Sequence, residues 1–389
     1  MSDHDFSPQP GITASPVAKA LAGLIALAVA MGIGRFAFTP VLPMMLQDAS
    51  VSLVSGGWLA SANYLGYLVG ALSAMAVRVR PERAIRFGLA AIGIMTLAMG
   101  LPLPFFAWLL LRFLAGIASA WVLISVSAWC LESLAAYRQP WLNSLVFAGV
   151  GVGIAVAGLL CLTLLHVAAS AAQAWVGLGM LAAAATGLAW PFFGVQPHAA
   201  GSSKSAAGGR FRWSADALRL VACYGVFGFG YIIPATFLPV MAKNALQGSS
   251  LFGWSWPLFG LAAALSTLAV TTLVKRIGNR RLWMICHVVM AFGIVLPVLW
   301  PNLLTIVCAA LGVGGTFMVI TLAALQEAKR IAGPHATSLI AAMTSAFATG
   351  QIVGPLTVGD GGFSPALMTA AAALLVSALT LRAKEAPFT

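Results

Sequence analysis

The sequence is short of charged side chains, and of acidic ones in particular. Only 8% of its 389 residues are Asp, Glu, Lys or Arg, and 9 residues are acidic. Soluble domains carry roughly one charged residue in four, whereas 61% of this chain is apolar and its mean hydropathy is +0.97. So few polar groups could not cover the surface of a water-soluble protein of this size. The composition excludes a soluble enzyme and a disordered scaffold, and it predicts a protein that lies mostly in lipid.

Paired cysteines and catalytic motifs are also missing. The patterns HExxH, GxSxG and GxxxxGK do not occur, so the common metalloprotease, hydrolase and nucleotide-binding sites are not indicated. No CxxC pair or Cys/His cluster is present, which argues against a disulfide framework and a zinc site. The five cysteines are widely spaced in apolar stretches: Cys130, Cys161, Cys223, Cys286 and Cys308. We therefore expect no enzyme activity, no cofactor and no bound metal.

Long apolar runs fill most of the chain instead. A transmembrane helix needs about 20 apolar residues to cross the hydrocarbon of a bilayer. Twelve runs meet this requirement: 18–46, 53–77, 84–101, 105–131, 140–165, 171–193, 216–242, 251–273, 282–300, 304–328, 336–357 and 363–382. The predicted fold class is an all-α integral membrane protein with twelve transmembrane helices.

The basic residues follow the alternation of these spans. With the N-terminus in the cytoplasm, 18 of the 21 basic residues fall on the cytoplasmic side, Lys243 lies outside, and Arg35 and Arg112 lie within spans. This is the positive-inside bias of multi-pass membrane proteins. It accounts for the pI near 10.1 without a nucleic-acid partner. We expect the lipid bilayer as the partner and both termini in the cytoplasm.

A polar break divides the chain into two related halves. Residues 194–213 are rich in Gly, Ser and Ala, which is typical of a flexible linker. The predicted units are therefore 1–193, a first six-helix bundle; 194–213, a cytoplasmic linker; and 214–389, a second six-helix bundle. A shift of 196 residues aligns the halves without a gap and brings together Gly32 and Gly228, Gly34 and Gly230, Pro43 and Pro239, Trp58 and Trp254, Gly116 and Gly312, and Gly158 and Gly354. A shift of six spans preserves orientation, so the halves form parallel, pseudo-symmetric repeats, as in transporters with a central path.

Several segments carry a family resemblance: MGIGRFAFTPVLPMM (31–45), LASANYLGYLVGAL (59–72), RFLAGIASAW (112–121), GFGYIIPATFLPVM (228–241) and GQIVGP (350–355). Together with the two halves, they resemble the major facilitator superfamily, and within it the bacterial YbfB/YjiJ-type group. The resemblance implies a secondary transporter of the bacterial inner membrane, and we expect a monomer. Ala74 stands where the superfamily usually has an Asp, which weakens the case for a proton-driven exporter.

Two cations at membrane depth are the most informative residues. Arg35 lies near the middle of span one, and Arg112 lies seven residues into span four, about 10 Å deep at the helical rise. A cation at the membrane centre costs about 2.5–3.5 kcal/mol on insertion scales and usually faces a cavity or a partner. No acidic residue lies in the middle of a span. Because a guanidinium pairs well with a carboxylate, we predict an anionic small-molecule substrate.

Helical spacing places polar and small residues beside the two arginines. The predicted substrate-binding residues are Arg35, Arg112, Asn63, Tyr67, Tyr231 and Gln351. The residues predicted to serve in gating or packing, because small residues allow helices to approach closely, are Gly32, Gly34, Pro40, Pro43, Gly116, Gly228, Gly230, Gly350, Gly354 and Pro355.

Each arginine also has a structural alternative. Arg112 occupies the recurrent span-four position of the superfamily and is equally well explained by a structural role. Arg35 could instead bond to backbone carbonyls freed around Pro40 and Pro43. Four tryptophans near span ends are expected to anchor the helices at the membrane interface: Trp58, Trp254, Trp256 and Trp300.

The sequence leaves three functions open. The leading one is a secondary active transporter that moves a small organic anion, such as a carboxylate, by alternating access, with proton symport as the candidate coupling. The second is an exporter of amphiphilic drugs or metabolites, which the lack of a carboxylate at membrane depth disfavours. The third is a transport-like membrane sensor, which the lack of a loop longer than about 20 residues disfavours, since a sensor needs an output domain.

Overall fold

The protein, described here from a computed structural model, is almost entirely helical. The structure describes residues 15–48, 51–77, 79–134, 137, 139–194, 213–247, 249–359 and 362–382. These ranges contain no β-strand, only an isolated bridge between Gly359 and Gly362. The α-helices are α1 (Pro16–Leu27), α2 (Phe38–Gln47), α3 (Leu53–Ala76), α4 (Pro81–Ala98), α5 (Phe105–Leu134), α6 (Pro140–His166), α7 (Ala171–Ala189), α8 (Ala215–Ala245), α9 (Ser255–Ile277), α10 (Asn279–Leu299), α11 (Leu303–Ala332), α12 (Ala336–Leu356) and α13 (Ser364–Leu381).

Each predicted span coincides with a helical segment. Helices α1 and α2 together form the first span, and each later span matches one further helix. By length and composition alone, nine segments of the described chain could cross a membrane, and one of these, Leu303–Leu356, contains both α11 and α12. Helices α3 and α4 fall outside that set, and α4 carries three charged residues near its start. The all-helical membrane fold is confirmed.

The first span is broken at its centre. Between α1 and α2 the chain forms a π-helical segment, Ala28–Ile33, followed by a turn at residues 34–37. The wider winding appears in the bonds from Gly34 N–H to Val29 O and from Phe36 N–H to Met31 O. Pro40 lies four residues beyond Phe36, and a proline both lacks an N–H and clashes with the carbonyl four residues earlier. Local π segments of this kind are frequent at functional sites.

The helices pack within each half and also across the two halves, along a contact surface that we call the seam. In the first half α3 packs on α5 and α1 on α6, and in the second half α8 packs on α12 and α10 on α11. Across the halves α6 packs on α9, α3 on α12 and α2 on α8. The 196-residue shift converts the α6–α9 contact into the α12–α3 contact, as expected of a repeat. The predicted linker, 194–213, lies almost entirely outside the described residues, so the division into bundles stays a prediction.

Glycines allow the closest of these approaches. A Cβ added at Gly260 of α9 would lie 2.3 Å from the backbone nitrogen of Ala155 in α6, and one at Gly151 of α6 would lie 2.3 Å from that of Ala264. Both distances are far inside van der Waals contact. The two backbones therefore meet directly, with no side chain between them.

We predict that Gly260→Val destabilises the protein by at least about 1–3 kcal/mol, the usual cost of overpacking, because neither backbone can yield without parting the helices. The measurement is thermal unfolding of the purified protein in detergent. The matched control is Gly187→Val in α7, where an added Cβ would meet nothing within 4 Å. Equal melting temperatures for Gly260→Val and Gly187→Val would contradict this packing.

Candidate substrate-binding site

Arg35 lies in the turn that interrupts the first span and points into the seam between the halves. Its side chain is buried, with 2% exposed. Its Nη2 donates a hydrogen bond of 2.5 Å to Oε1 of Gln351 in α12, and its guanidinium carbon lies 3.9 Å from the ring centre of Tyr67 in α3. Its Nε has no hydrogen-bond partner. Within the described part of the chain, no carboxylate contacts this cation.

Gln351 extends the contact into the second half. Its Nε2 donates a hydrogen bond to the hydroxyl of Tyr231 in α8, and both residues are buried. The result is a chain of three side chains, Arg35, Gln351 and Tyr231, that crosses the seam. Every partner in this chain is neutral, and among the described residues the positive charge of Arg35 is solvated by the Gln351 amide and by aromatic side chains, Tyr67 in particular. A cation–π contact contributes about 2 kcal/mol or more when desolvated, less than an ionic partner would supply.

Arg112 is engaged differently from Arg35. Its Nη1 and Nη2 donate to the main-chain oxygens of Gly34 (3.4 Å) and Arg35 (3.0 Å). Asn63 donates to the oxygens of Gly34 (3.3 Å) and Arg112 (2.8 Å). The N–H of Thr39 bonds to Phe36 O instead of Arg35 O, so the broken helix leaves carbonyls that need outside donors. The freed carbonyls are thus held by Arg112, whereas the structural alternative considered for Arg35 had assigned that role to Arg35.

Further hydrogen bonds close the seam around Arg35. Thr39 in α2 donates to the main-chain oxygen of Ala235 in α8, over 2.7 Å, and these two positions correspond under the 196-residue shift. The hydroxyls of Tyr64 in α3 and Thr236 in α8 lie 3.0 Å apart. Ser61 in α3 donates to the oxygen of Ile352 in α12, over 2.8 Å. These bonds join the two halves beside the candidate site, where Arg35, Gln351 and Tyr231 are buried.

Aromatic rings line the second-half side of the seam. Tyr231 stacks between Phe317 of α11, with centroids 5.6 Å apart, and Phe347 of α12, at 5.7 Å. The series continues from Phe317 to Phe259 (5.6 Å) and on to Trp256 (4.7 Å). The expectation that Trp256 anchors α9 at the membrane interface is wrong, because this side chain is fully buried in the aromatic series. The other three tryptophans are exposed as expected of interfacial anchors: Trp58, Trp254 and Trp300.

The predicted small residues are found at helix crossings. A Cβ added at each of several glycines would come within 2.6 Å of a neighbouring helix: Gly32 against Gly153, Gly116 against Asn63, Gly228 against Phe347, Gly350 against Gly225 and Gly354 against Ile232. At Gly34 it would meet Ser119, at 2.6 Å, and at Gly230 it would meet Leu374, at 2.8 Å. Pro355 presents its main-chain oxygen to Gly57 of α3. These contacts are those of closely packed helices. A role of these glycines and prolines in gating stays a prediction.

The two faces of the bundle close differently. We call the end at which α1 begins and α13 ends the terminal face, and the other end, with Gln47 and Lys243, the opposite face. At the opposite face, Lys243 of α8 donates to Oε1 of Gln47 (2.9 Å) and to Pro43 O (3.4 Å). Pro43 and Pro40 of α2 border a narrow gap there, together with Pro239 and Phe252. At the terminal face, Ser144 of α6 and Thr271 of α9 lie 3.2 Å apart across the halves.

The structure thus brings together four of the six predicted substrate-binding residues: Arg35, Tyr67, Tyr231 and Gln351. Asn63 and Arg112 adjoin them but bond to the backbone. Sequence reasoning missed Tyr64, Phe317 and Phe347. Tyr64 shares a helical face with Tyr67, three residues on, and this spacing could have indicated it. No comparable signal marks Phe317 or Phe347, because an apolar ring in an apolar helix faces lipid as readily as a site.

The two arginines should therefore differ in their effect on stability. Arg112→Met removes the donors of main-chain carbonyls, and each unsatisfied buried group costs about 1–3 kcal/mol. Arg35→Met leaves the Gln351 oxygen without its donor, but it also relieves the cost of burying a charge that has no ionic partner, which offsets that loss. We expect thermal unfolding in detergent to show a lower melting temperature for Arg112→Met and an unchanged or higher one for Arg35→Met. Equal losses for the two variants would contradict the distinction.

Comparison with known proteins agrees with this architecture. Two solved structures of the nucleoside transporter NupG, one a D323A mutant, share the fold: the mutant has a TM-score of 0.69 at 15% identity, with 94% of this chain and 99% of that chain covered. The other has a TM-score of 0.66 at 14% identity, with 94% and 98% covered. An uncharacterized MFS-type transporter of Bacillus subtilis (strain 168), YceJ, is 32% identical over 131 residues, which is 33% of this chain and 31% of that protein. The match thus spans about a third of the relative's length.

The family assignment rests on a longer match. The model of the family described as uncharacterised MFS-type transporter YbfB matches residues 27–382, which include most of both halves, the break in the first span and every residue of the candidate site. Members of this family are transporters and not enzymes, so the prediction that the chain is not an enzyme is confirmed. The chain is a multi-pass membrane transporter and belongs to the YbfB family of the major facilitator superfamily.

Proposed function

We propose that this transporter moves a small organic anion, most simply a carboxylate, across the bacterial inner membrane. The observation that carries the proposal is Arg35, a buried guanidinium at the seam whose contacts are a neutral amide and aromatic rings. A buried charge is stabilised fully only when it is paired and hydrogen-bonded. A carboxylate accepts two parallel hydrogen bonds from a guanidinium. The substrate would supply the ionic partner that the described chain does not.

We propose alternating access as the mechanism, in which two bundles, residues 1–193 and 214–389, joined by the linker 194–213, rock around a midplane site, with both termini in the cytoplasm. The seam contacts support this, because hydrogen bonds such as those of Arg35 and Thr39 join the halves through few atoms. Substrate held between Arg35 and the second half would lie on the axis of such a motion. In transporters built from repeats, sites lie at the repeat interface near the midplane.

We propose that transport is coupled to protons, as a symport in which the proton travels with the substrate. Within the described residues no carboxylate lies beside Arg35, so the carboxyl group beside the cation in the loaded carrier would belong to the substrate itself. A carboxylate and a proton that cross together carry no net charge across the membrane.

A neutral, ring-bearing solute is the second candidate substrate. The observations that favour it are the neutral hydrogen-bonding groups of Gln351 and Tyr231 beside stacked rings, and the shared fold with the nucleoside transporter NupG. At 15% identity that likeness extends to the fold alone. The proposed anion is preferred because a neutral solute leaves Arg35 without an ionic partner. Export of amphiphilic compounds, the other transport function left open by the sequence, gains support only from the aromatic rings.

The decisive test is uptake of labelled carboxylates by protein reconstituted in liposomes. We predict that Arg35→Gln lowers uptake at subsaturating substrate at least about tenfold, since hydrogen bonds to a charged group contribute about 1.5–3 kcal/mol. Arg219→Gln is the matched control: it makes the same change at the terminal end of α8, where Arg219 pairs with Asp216. Uptake of a neutral nucleoside by both variants, with no carboxylate uptake by the wild type, would favour the second candidate instead.

A second prediction concerns closure of the opposite face. Lys243→Met removes the hydrogen bonds to Gln47 and Pro43 that join the halves there, so it should increase access to the site from that face. The measurement is the rate at which a membrane-impermeant thiol reagent labels a cysteine at position 39, in otherwise cysteine-free protein. Labelling of Thr39→Cys should accelerate several-fold with Lys243→Met and remain unchanged with Arg219→Met. No acceleration would count against closure by Lys243.

A further inference from the structure

The two halves contribute opposite chemistry to the seam. Under the 196-residue shift, Arg35 corresponds to Tyr231 and Asn63 corresponds to Phe259. The first half thus places a cation and an amide where the second half places aromatic rings. The backbone is repeated at these positions while the side chains are not. A ligand that contacts both halves at Arg35 and Tyr231 therefore meets a cation on one side and an aromatic ring on the other, with the Tyr67 ring and the Gln351 amide beside them.

Two separate routes connect the guanidinium to the aromatic rings. One runs through hydrogen bonds, from Arg35 to Gln351 and on to the hydroxyl of Tyr231. The other runs through rings: the Arg35 guanidinium carbon lies 5.3 Å from the centre of the Phe36 ring, and Phe36 meets Phe317 edge to face with centroids 6.3 Å apart. Phe36 belongs to the first half and Phe317 to the second. Phe36, next to the cation, is therefore the first ring of the aromatic series, and the seam passes between Phe36 and Phe317.

We infer that the substrate is an aromatic acid, with its carboxylate on Arg35 and its ring in the seam between Phe36 and the stacked pair Phe317 and Tyr231. The inference rests on the proposed function and deepens it. A carboxylate that replaces the Gln351 oxygen on Arg35 has its next atoms beside the faces of these rings. Since aromatic rings prefer offset-stacked or edge-to-face partners, a flat ring can replace the existing Phe36–Phe317 contact when the halves part. An aliphatic substrate in the same place gains only from the burial of its apolar surface.

The experiment uses full-length purified protein in detergent and compares three probes of similar size, benzoate, cyclohexanecarboxylate and benzamide, with the larger nucleoside uridine. Thermal shift ranks them, because a ligand that binds only the folded state raises its stability by mass action, and titration calorimetry gives each Kd. We expect benzoate to bind about three- to tenfold more tightly than cyclohexanecarboxylate, the gain from aromatic contact beyond burial. Benzamide, which keeps the ring and loses the charge, should bind more weakly than both acids.

Matched variants assign the preference to the ring. Phe317→Leu should abolish the difference between the two acids and leave cyclohexanecarboxylate binding unchanged. The control is Phe292→Leu in α10, whose side chain is exposed on the outer surface and which should retain the full preference. The comparison of the two acids on the wild type requires no variant, so the inference stays testable if Phe317→Leu fails to fold.

The outcomes separate the inference from the proposed function. Equal affinity of wild-type protein for benzoate and cyclohexanecarboxylate would overturn the aromatic substrate and leave anion transport standing. Binding of uridine or benzamide with no response to either acid would overturn the anionic head group, and with it the aromatic acid. A preference for benzoate that survives in Phe317→Leu and is lost in Phe292→Leu would also overturn the inference, because it would place the ring outside the seam.

Discussion

The candidate site depends on the break between α1 and α2. Where the π segment and the following turn interrupt the helix, the carbonyls of Gly34 and Arg35 lack helical partners, and Arg112 and Asn63 supply the donors. In lipid an unsatisfied carbonyl costs several kcal/mol, so the break and its donors stabilise one another. The break also sets the direction of the Arg35 side chain, which would differ if the helix were continuous. One arginine thus holds the backbone so that the other can cross the seam.

The second consequence of this arrangement is an uncompensated charge. The described ion pairs of the second half, such as Arg280 with Glu327, lie at the terminal face, where water is near. Arg35 lies at the centre with neutral partners only. Burying a charge without an ionic partner is costly, and a protein selected for stability alone would gain by replacing it. The retained cost is the physical reason to assign Arg35 a role in binding, while the contacts of Arg112 explain its position by folding alone.

Much of the fold could be predicted from the sequence, because a bilayer imposes length and apolarity on every span, and the repeat shows as a constant shift of 196 residues. Arg35, Tyr231 and Gln351 could be found for a related reason: polar groups are rare inside an apolar chain and therefore conspicuous. Phe317 and Phe347 could not be found in this way, because an apolar side chain is equally suited to a buried site and to a surface that faces lipid. The sequence also left both roles open for each arginine, because the contacts of Arg112 depend on which carbonyls the break leaves free.

The hydrogen bond between Arg35 and the neutral side chain of Gln351 also bears on the transport cycle. Under the proposed function, the substrate's carboxylate competes with the Gln351 oxygen for the Arg35 guanidinium. In this structure Gln351 accepts from the same donor, and the hydrogen bonds of Thr39 and Tyr64 join the halves beside it. Reorientation without substrate therefore does not expose a bare cation to the closed seam. A carrier restricted to exchange needs a high barrier in its empty form, whereas a symporter must return empty. Under the proposed function, the amide beside Arg35 would lower that barrier, as the proposed symport requires and obligatory exchange does not.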